Sequence, residues 1–369
     1  MITLLLFLLY EISSSSLKVE FSEMSSSYNF VVNLGKPSTS KYFEIDLKTP
    51  FNWATKNYYH RANSKVVKSL GFDVLSFETN VNLTMELLSD YLSYGPIDMP
   101  EFTFYFSSVF LTTFDSISFA RTFKDNKNAV IYHLYNSHLI TKLGFGLFPN
   151  QKGDKGVMYL GEINSSISPF NYMSVCKAVD LDSKWWCNLE QVIIGNNKII
   201  YNNTFTGYFQ TKDRRIVVPK NFMSILDDTY FNNKTDNKVC VLASNYGLMF
   251  YDCNCREIND FPDITFKIDN NYMTFTVKDL TFFRSYDHCS FLIEENLAAP
   301  ESWLFGLPFY RKYPTYFDYE QSTITFYSKD QVIGSHLIYS SSITNILRGM
   351  ILILVITILI NILQIIYIK

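Results

Sequence analysis

The chain has 369 residues, which is enough for two or three domains or lobes. Apolar residues make up 47% of it and charged residues 18%, so we predict a large buried core and exclude a wholly disordered chain. The net charge of -3 lacks the basic excess that nucleic-acid binders carry. Aromatic residues reach 17%, which favours sheet over helix because such side chains fit a pleated surface.

The N-terminus opens with a short apolar run, Ile2–Tyr10, which is followed by the small residues Ser13–Ser16. This layout is typical of a secretory signal peptide, and we predict one over residues 1–16. The alternative is an N-terminal membrane anchor. The run is too short for that role, because a hydrocarbon core of about 30 Å requires about 20 apolar residues in a helix.

The C-terminus carries 20 residues without a charge, Gly349–Ile368, which is the length of a membrane-spanning helix. We therefore predict a juxtamembrane stalk over 333–345 and a transmembrane helix over 346–368. The small residues Ser340–Ser342 before an apolar tail also fit a GPI-attachment signal. Under both interpretations the protein is attached to the cell-surface membrane or to an endomembrane of the secretory pathway. The remainder of the chain then lies outside the cell or in the lumen.

Two further features agree with export. Six cysteines, an even number, predict three disulfides but leave their pairing open. A zinc site is disfavoured because Cys253 and Cys255 lack the usual two-residue gap, and we expect no metal and no cofactor. Asn-x-Ser/Thr sites predict glycosylation at Asn82, Asn164, Asn202 and Asn233.

Along the body of the chain, short apolar and aromatic runs alternate with clusters of Asn, Asp, Gly and Ser, as in Ile264–Ile268 and Thr323–Tyr327. This spacing predicts an all-β structure with few short helices. We predict such helices over Asn221–Asp227 and Met85–Tyr91. The related segments Phe145–Phe148 and Phe305–Phe309 suggest two similar lobes.

The segment Trp303–Tyr327 reads WLFGLPFYRKYPTYFDYEQSTITFY. It resembles the C-terminal signature of pepsin-like aspartic peptidases of the eukaryotic pepsin and cathepsin D type. Lys48-Thr49-Pro50 resembles the G-T-P element of the first lobe. The resemblance implies a bilobal double β-barrel with a central cleft, in which the N-terminal lobe covers 17–155 and the C-terminal lobe 156–332.

The resemblance also implies a second-lobe disulfide between Cys255 and Cys289. The remaining cysteines are then paired as Cys240–Cys253 and Cys176–Cys187.

In this family two aspartates, one from each lobe and each in D-[TS]-G-[TS], share a proton and activate a water molecule. The chain contains no D-T-G and no D-S-G. The alignment places Gln210 at the second position, nine residues before Pro219, and Tyr59 at the first, nine residues after Pro50. We therefore predict that no catalytic residue is present. Lys212 and Arg214 flank Asp213 and predict a lowered pKa for it. The predicted cleft-lining residues are Phe77, Glu78, Tyr59, His60, Gln210, Thr211 and Asp213.

Together with the missing motifs and the apolar C-terminal segment, the resemblance predicts a membrane-anchored homologue of aspartic peptidases without catalysis, whose cleft binds a peptide or a protein. One alternative is an active endopeptidase with a non-standard dyad, whose first-lobe acid would be Asp46, Asp73 or Asp98. The other alternative is a structural or antigenic surface glycoprotein. Nucleic acid is not an expected partner.

Overall fold

The computed structural model describes residues 16–24, 27–56, 59–76, 82–95, 97–107, 115–121, 129–150, 152–163, 170–195, 198–201, 205–245, 248–268, 271–285, 287–295 and 303–329. The predicted signal peptide except Ser16, the stalk and the C-terminal apolar segment lie outside these ranges, as do Phe77, Glu78, Asn164 and Asn202 and the side chain of Asn82. Within these ranges no helix is both long and apolar enough to cross a membrane.

The strands of the first part of the chain are β1 (Leu17–Met24), β2 (Ser27–Leu34), β3 (Thr39–Asp46), β4 (Trp53–Thr55), β5 (Lys68–Ser76), β6 (Asn82–Tyr94), β7 (Ile97–Ser107), β8 (Asp115–Ser118), β9 (Gly144–Pro149) and β10 (Lys155–Leu160). The later strands are β11 (Asn171–Lys177), β12 (Trp186–Leu189), β13 (Gln191–Ile194), β14 (Lys198–Tyr201), β15 (Phe205–Phe209), β16 (Ile216–Val218), β17 (Cys240–Asn245), β18 (Leu248–Asn254), β19 (Ile264–Ile268), β20 (Asn271–Phe275), β21 (Thr281–Ser285), β22 (His288–Phe291), β23 (Ile293–Glu295), β24 (Trp303–Phe305), β25 (Thr315–Asp318) and β26 (Thr323–Ser328).

The helices are α1 (Val130–Asn136), α2 (Lys220–Leu226), α3 (Asn232–Asp236) and α4 (Leu307–Lys312). A π-helical turn (Asp227–Phe231) joins α2 to α3, and 3-10 turns lie at Arg61–Asn63 and Cys255–Glu257. The mainly β architecture with few helices is thus confirmed, as is the helix predicted over Asn221–Asp227. The helix predicted over Met85–Tyr91 is wrong, because this segment lies in β6 and pairs with β5 on one side and β7 on the other.

One continuous sheet links the two lobes. Its thirteen strands follow the order β11-β26-β25-β9-β10-β1-β2-β3-β8-β4-β7-β6-β5. Strands from the end of the chain therefore pair with β9, and β10 pairs with the first strand. A nine-stranded sheet and a four-stranded sheet, β14-β13-β19-β20, complete the second lobe. The path through the nine-stranded sheet is β12-β15-β24-β16-β23-β18-β22-β21, with β17 beside β18.

The same pairing pattern occurs once in each lobe. In the first lobe β3 is parallel to β8, β8 is antiparallel to β4, and β4 is parallel to β7. In the second lobe β15, β24, β16 and β23 pair in the same order and the same directions. Trp53 in β4 and Val217 in β16 are therefore equivalent positions. Asp46 and Gln210 each lie seven residues before them, so these two residues are equivalent as well.

The similar segments Phe145–Phe148 and Phe305–Phe309 do not mark equivalent elements. The first lies in β9, within the sheet that links the lobes, whereas the second runs from β24 into α4. The pairing pattern makes β8 the equivalent of β24. The two lobes are thus alike in topology, but not at the segments whose sequences look alike.

An aromatic cluster fixes the chain immediately before Gln210. The buried ring of Phe209 packs against Phe305 and Phe309 at centroid distances of 5.1 Å each. It also contacts Phe317 and Phe326, at 6.4 Å and 5.5 Å, in the strands that join the lobes. Aromatic pairs of this kind contribute about 0.5–1.5 kcal/mol each beyond the area they bury. The cluster therefore holds the loop that follows Phe209 against the linking sheet.

Two of the three predicted disulfides are confirmed, Cys176–Cys187 and Cys240–Cys253. The first joins β11 of the linking sheet to β12. The second joins the adjacent strands β17 and β18.

The predicted Cys255–Cys289 bridge is not formed in the structure, where both residues are free thiols. The register of β18 and β22 places Cys289 opposite Cys253, which is already bonded to Cys240. Burial, and then a hydrogen bond with Cys255, raise the pKa of the Cys289 thiol.

We expect the substitution Gly306→Ala to destabilise the protein strongly. A Cβ atom at this position would overlap the backbone carbonyl oxygens of Arg215 and Asp213, which cannot move without displacing the loop before β16. Overpacking of this kind costs about 1–3 kcal/mol, which urea unfolding would measure. Gly95→Asn is the control, because Gly95 has a φ of 50° in open space, which Asn tolerates. A near-neutral Gly306→Ala would contradict the packing described here.

Candidate functional site

The first element of the site is the end of β3, where Asp46 lies fully buried between Ile45 and Leu47. The backbone N–H groups of Lys48 and Thr49 donate to its Oδ1 at 2.9 and 3.0 Å. Such a turn satisfies a buried carboxylate through the backbone that immediately follows it.

The second element comes from the loop between β15 and β16, which brings a lysine to Asp46. The Nζ atom of Lys212 lies 2.7 Å from Asp46 Oδ2 and 3.0 Å from Glu44 Oε2. The Ser116 hydroxyl donates to the same Asp46 oxygen at 3.3 Å. Asp46 therefore accepts from two backbone groups, a hydroxyl and an ammonium.

The charges of this triad stabilise one another against burial. Burial alone raises the pKa of Asp46, but the Lys212 ammonium outweighs it, so that the pKa lies below its usual value. Burial lowers the pKa of Lys212, and Asp46 and Glu44 more than compensate, so that its pKa lies above the usual value. Asp46 is thus ionised and Lys212 protonated wherever the protein is folded near neutral pH.

Further contacts join the same loops. The Thr211 hydroxyl donates to the carbonyl oxygen of Ile45, and Tyr28 N–H donates to the carbonyl oxygen of Thr211 at 3.1 Å. Gln210 is 9% exposed, and its Oε1 atom is buried without a hydrogen-bond partner in the described part of the chain. Gln210 and Thr211, two predicted cleft residues, therefore lie at the junction with Asp46.

Tyr59 is not the first-lobe counterpart of Gln210. Its ring packs edge-on against Phe104 and Phe106, and its hydroxyl donates to Asp90 Oδ2 at 2.5 Å. His60 is exposed and precedes a 3-10 turn. The residue that the structure places opposite the Gln210 loop is Asp46, so one of the two predicted losses of a carboxylate is wrong.

Tyr59 is assigned to the first-lobe position because the count starts from the wrong proline. Pro37, not Pro50, ends the segment equivalent to G-T-P, in the turn between β2 and β3 that Gly35 enters with a φ of 86°. Counting nine residues from Pro37 leads to Asp46. The Gly35-Lys36-Pro37 spacing could have located this carboxylate, whereas nothing in the local sequence indicates its pairing with Lys212.

Asp213 lies in the same loop as Lys212 and forms a second acidic group with Glu294. Its carboxylate accepts from the backbone N–H of Arg215 at 3.1 Å, and Arg215 Nη1 lies 3.1 Å from Glu294 Oε2. Burial raises the pKa of Asp213 to about 6. Burial, followed by the charge of Asp213, raises the pKa of Glu294 to about 7. The lowered pKa predicted for Asp213 is wrong, because Lys212 is directed at Asp46 and burial dominates.

Other predicted residues lie apart from the site. Asp73 accepts a hydrogen bond from the Tyr105 hydroxyl at 2.8 Å, and Asp98 lies in β7. Asn233 is exposed on α3, so glycosylation there stays a prediction.

Comparisons with known proteins identify the family and the fold. A family model described as eukaryotic aspartyl protease matches residues 70–329. The chain belongs to the eukaryotic aspartyl protease family. The crystal structure of an aspartic proteinase from Irpex lacteus superposes with a TM-score of 0.67 at 13% identity, covering 85% of this chain and 97% of that one. No curated protein sequence matches the chain significantly. The bilobal pepsin-like fold expected of this family member is thus confirmed.

We expect Lys212→Met to destabilise the protein by about 3 kcal/mol, because it leaves Asp46 charged and buried without its partner. The double variant Asp46→Asn/Lys212→Met should recover part of this loss, since Asp46 is then neutral and only the carboxylate of Glu44 is left without its cation. Urea unfolding of the single and double variants would measure the coupling. The exposed Lys220→Met is the control, and a cost below about 1 kcal/mol for Lys212→Met would contradict the importance of the pair.

We expect stability to fall as pH rises from about 4 to about 7. Asp115, Asp213 and Glu294 have pKa values raised to about 7, 6 and 7, so the folded state holds more protons than the unfolded state in this interval. Glu294→Gln mimics the protonated acid. It should raise the melting temperature at about pH 7.5 and leave it nearly unchanged at about pH 5, where Glu294 is already neutral.

The exposed Glu20→Gln serves as the matched control for this measurement. If Glu294→Gln lowers the melting temperature at the higher pH, the expectation that burial of the ionised Glu294 costs more than its pairing with Arg215 returns is refuted.

Proposed function

We propose that this family member is a non-catalytic aspartic peptidase homologue, and that the cleft between its lobes binds a peptide or protein without cleaving it. One observation carries the proposal. The Lys212 ammonium lies 2.7 Å from Asp46, and Gln210 stands where the pairing pattern of the second lobe requires the equivalent of Asp46.

The chemistry expected of the family needs two carboxyl groups that share one proton. One must accept a proton from water while the other donates a hydrogen bond to the scissile carbonyl. Gln210 carries an amide, which neither accepts nor releases a proton at the pH values at which a carboxyl group titrates. The second carboxyl group is therefore missing at the position from which it would act.

Asp46 alone is also poorly suited to act as a base. Its two oxygens already accept from Lys48, Thr49, Ser116 and Lys212, which leaves no lone pair directed at a water molecule. The ammonium further stabilises the ionised carboxylate and so weakens it as a proton acceptor. Lys212 thus replaces the shared proton with a fixed positive charge.

The binding half of the proposal follows from the retained fold. Extended peptides bind through backbone hydrogen bonds and side-chain pockets, neither of which needs the carboxyl pair. The loops that meet at Asp46 remain hydrogen-bonded to each other, so the floor of the cleft is ordered although its chemistry has changed.

We further propose that the protein is exported and tethered to a membrane. The support is the apolar N-terminal run, the uncharged segment Gly349–Ile368 and the two disulfides, which persist in oxidising compartments. A glycosidase shift on a gel and carbonate extraction of membranes would test this placement.

We expect the full chain, purified in a mild detergent, to leave an unfolded protein substrate intact from about pH 2 to about pH 7. The assay is run with and without a statine-type transition-state inhibitor, and with the variant Asp46→Asn. Asp46→Asn separates true activity from contamination, because a contaminating peptidase is unaffected by it. Cleavage that the inhibitor blocks and Asp46→Asn abolishes would overturn the proposal and favour the active endopeptidase with a non-standard dyad.

A further inference from the structure

A strongly basic groove with a volume of about 320 Å³ lies beside α4. We name it the basic groove. It is lined chiefly by Lys152, Lys278, Phe282, Phe283, Arg311 and Lys312. Its size lies at the lower end of the range of ligand sites, about 300–1,000 Å³.

The positive charge of the basic groove exceeds the negative charge beside it. Arg311 pairs with Glu23, and Lys312 pairs with Asp279. Lys152 and Lys278 are exposed. Neither makes an ion pair within the described ranges.

A further cation extends this excess toward the loop that carries Lys212. The guanidinium of Arg214 stacks on Phe282 at 4.0 Å, so it borders the basic groove. Its Nε atom is buried without a hydrogen-bond partner among the described residues, and the same holds for Arg311 Nε. Burial and the charge of Arg311 lower the pKa of nearby Lys329 to about 8. Among the described residues, the cations of this region therefore outnumber the anions.

The unpaired edge of β21 beside the basic groove favours an extended chain over a compact ion. Phe282 and Phe283 lie on β21, which ends the path of the nine-stranded sheet and pairs with β22 on one side. Its other edge pairs with no strand of the described residues and can accept a peptide as an added strand. Phe283 is 65% exposed and offers an apolar surface beside the lysines.

We infer that the basic groove binds an extended acidic peptide segment, with carboxylates on Lys152 and Lys278 and apolar side chains against Phe283. The inference goes beyond the proposed function, because none of the residues that line the basic groove is one of the predicted cleft residues. Arg214 connects the two regions, because it lies in the same loop as Gln210 and Lys212.

The test is isothermal titration calorimetry of the full chain with two octapeptides. The first alternates four glutamates with phenylalanine and other apolar residues, and the second carries glutamine for each glutamate. We expect the acidic peptide to bind about tenfold more tightly or better. This preference should shrink between about 50 mM and about 500 mM sodium chloride, because exposed charges are screened.

The variant Lys152→Glu/Lys278→Glu should weaken binding of the acidic peptide about tenfold. The control Lys56→Glu/Lys220→Glu makes the same change of net charge at exposed lysines outside the groove and should bind like the wild type. Folding of both is checked by their melting temperatures. Equal loss in both variants would show a general charge effect and overturn the inference.

The remaining outcomes separate this inference from the proposed function. Equal binding of both octapeptides, or of neither, refutes the inference that the basic groove binds an acidic peptide. Binding of inorganic phosphate without binding of the acidic peptide refutes it as well, because the site would then take a compact anion. Mass spectrometry of the peptides after titration detects cleavage, which would overturn the non-catalytic proposal while the groove inference stands.

Discussion

The site depends on one ion pair that crosses from one lobe to the other. Lys212 leaves the loop after β15 and reaches Asp46 and Glu44 at the end of β3. Two buried carboxylates without a cation would repel each other and destabilise the folded state. A buried lysine without an anion would also destabilise it, because its charge would be unpaired. The pair therefore sets the charge state of the junction. The hydrogen bond from Thr211 to Ile45 and the aromatic packing of Phe209 hold the loops in the positions from which it forms.

The two lobes share their topology but differ in the side chain that their equivalent loops carry. The parallel and antiparallel pairings around β3 and β15 are the same, and both loops still turn at the same place in the pattern. The first lobe retains a carboxylate there and the second carries an amide. Backbone pairing tolerates such a change because it does not depend on the side chain at that position. A pair of carboxyl groups does depend on it, so at Gln210 the fold is kept while the second carboxyl group is absent.

Much of the fold could be predicted from sequence, because strand alternation and the segment from Trp303 onward are local patterns. The first-lobe carboxylate could not be placed reliably, since two prolines, Pro37 and Pro50, compete as the reference point. The salt bridge of Lys212 joins residues far apart in sequence, and no local pattern indicates it. The raised pKa of Asp213 could not be predicted for the same reason. Its neighbours in sequence are cations, whereas in the folded chain Lys212 is turned away from it and burial dominates.

The sheet that links the lobes also determines how the molecule can be divided. Its strands β9 and β10 stand between β25 and β1, so elements from both ends of the chain pair through them. A cut between the lobes would leave a row of unpaired backbone groups on each fragment, and such open edges invite aggregation. The two lobes are therefore parts of one cooperative unit, and neither half is suited to independent expression.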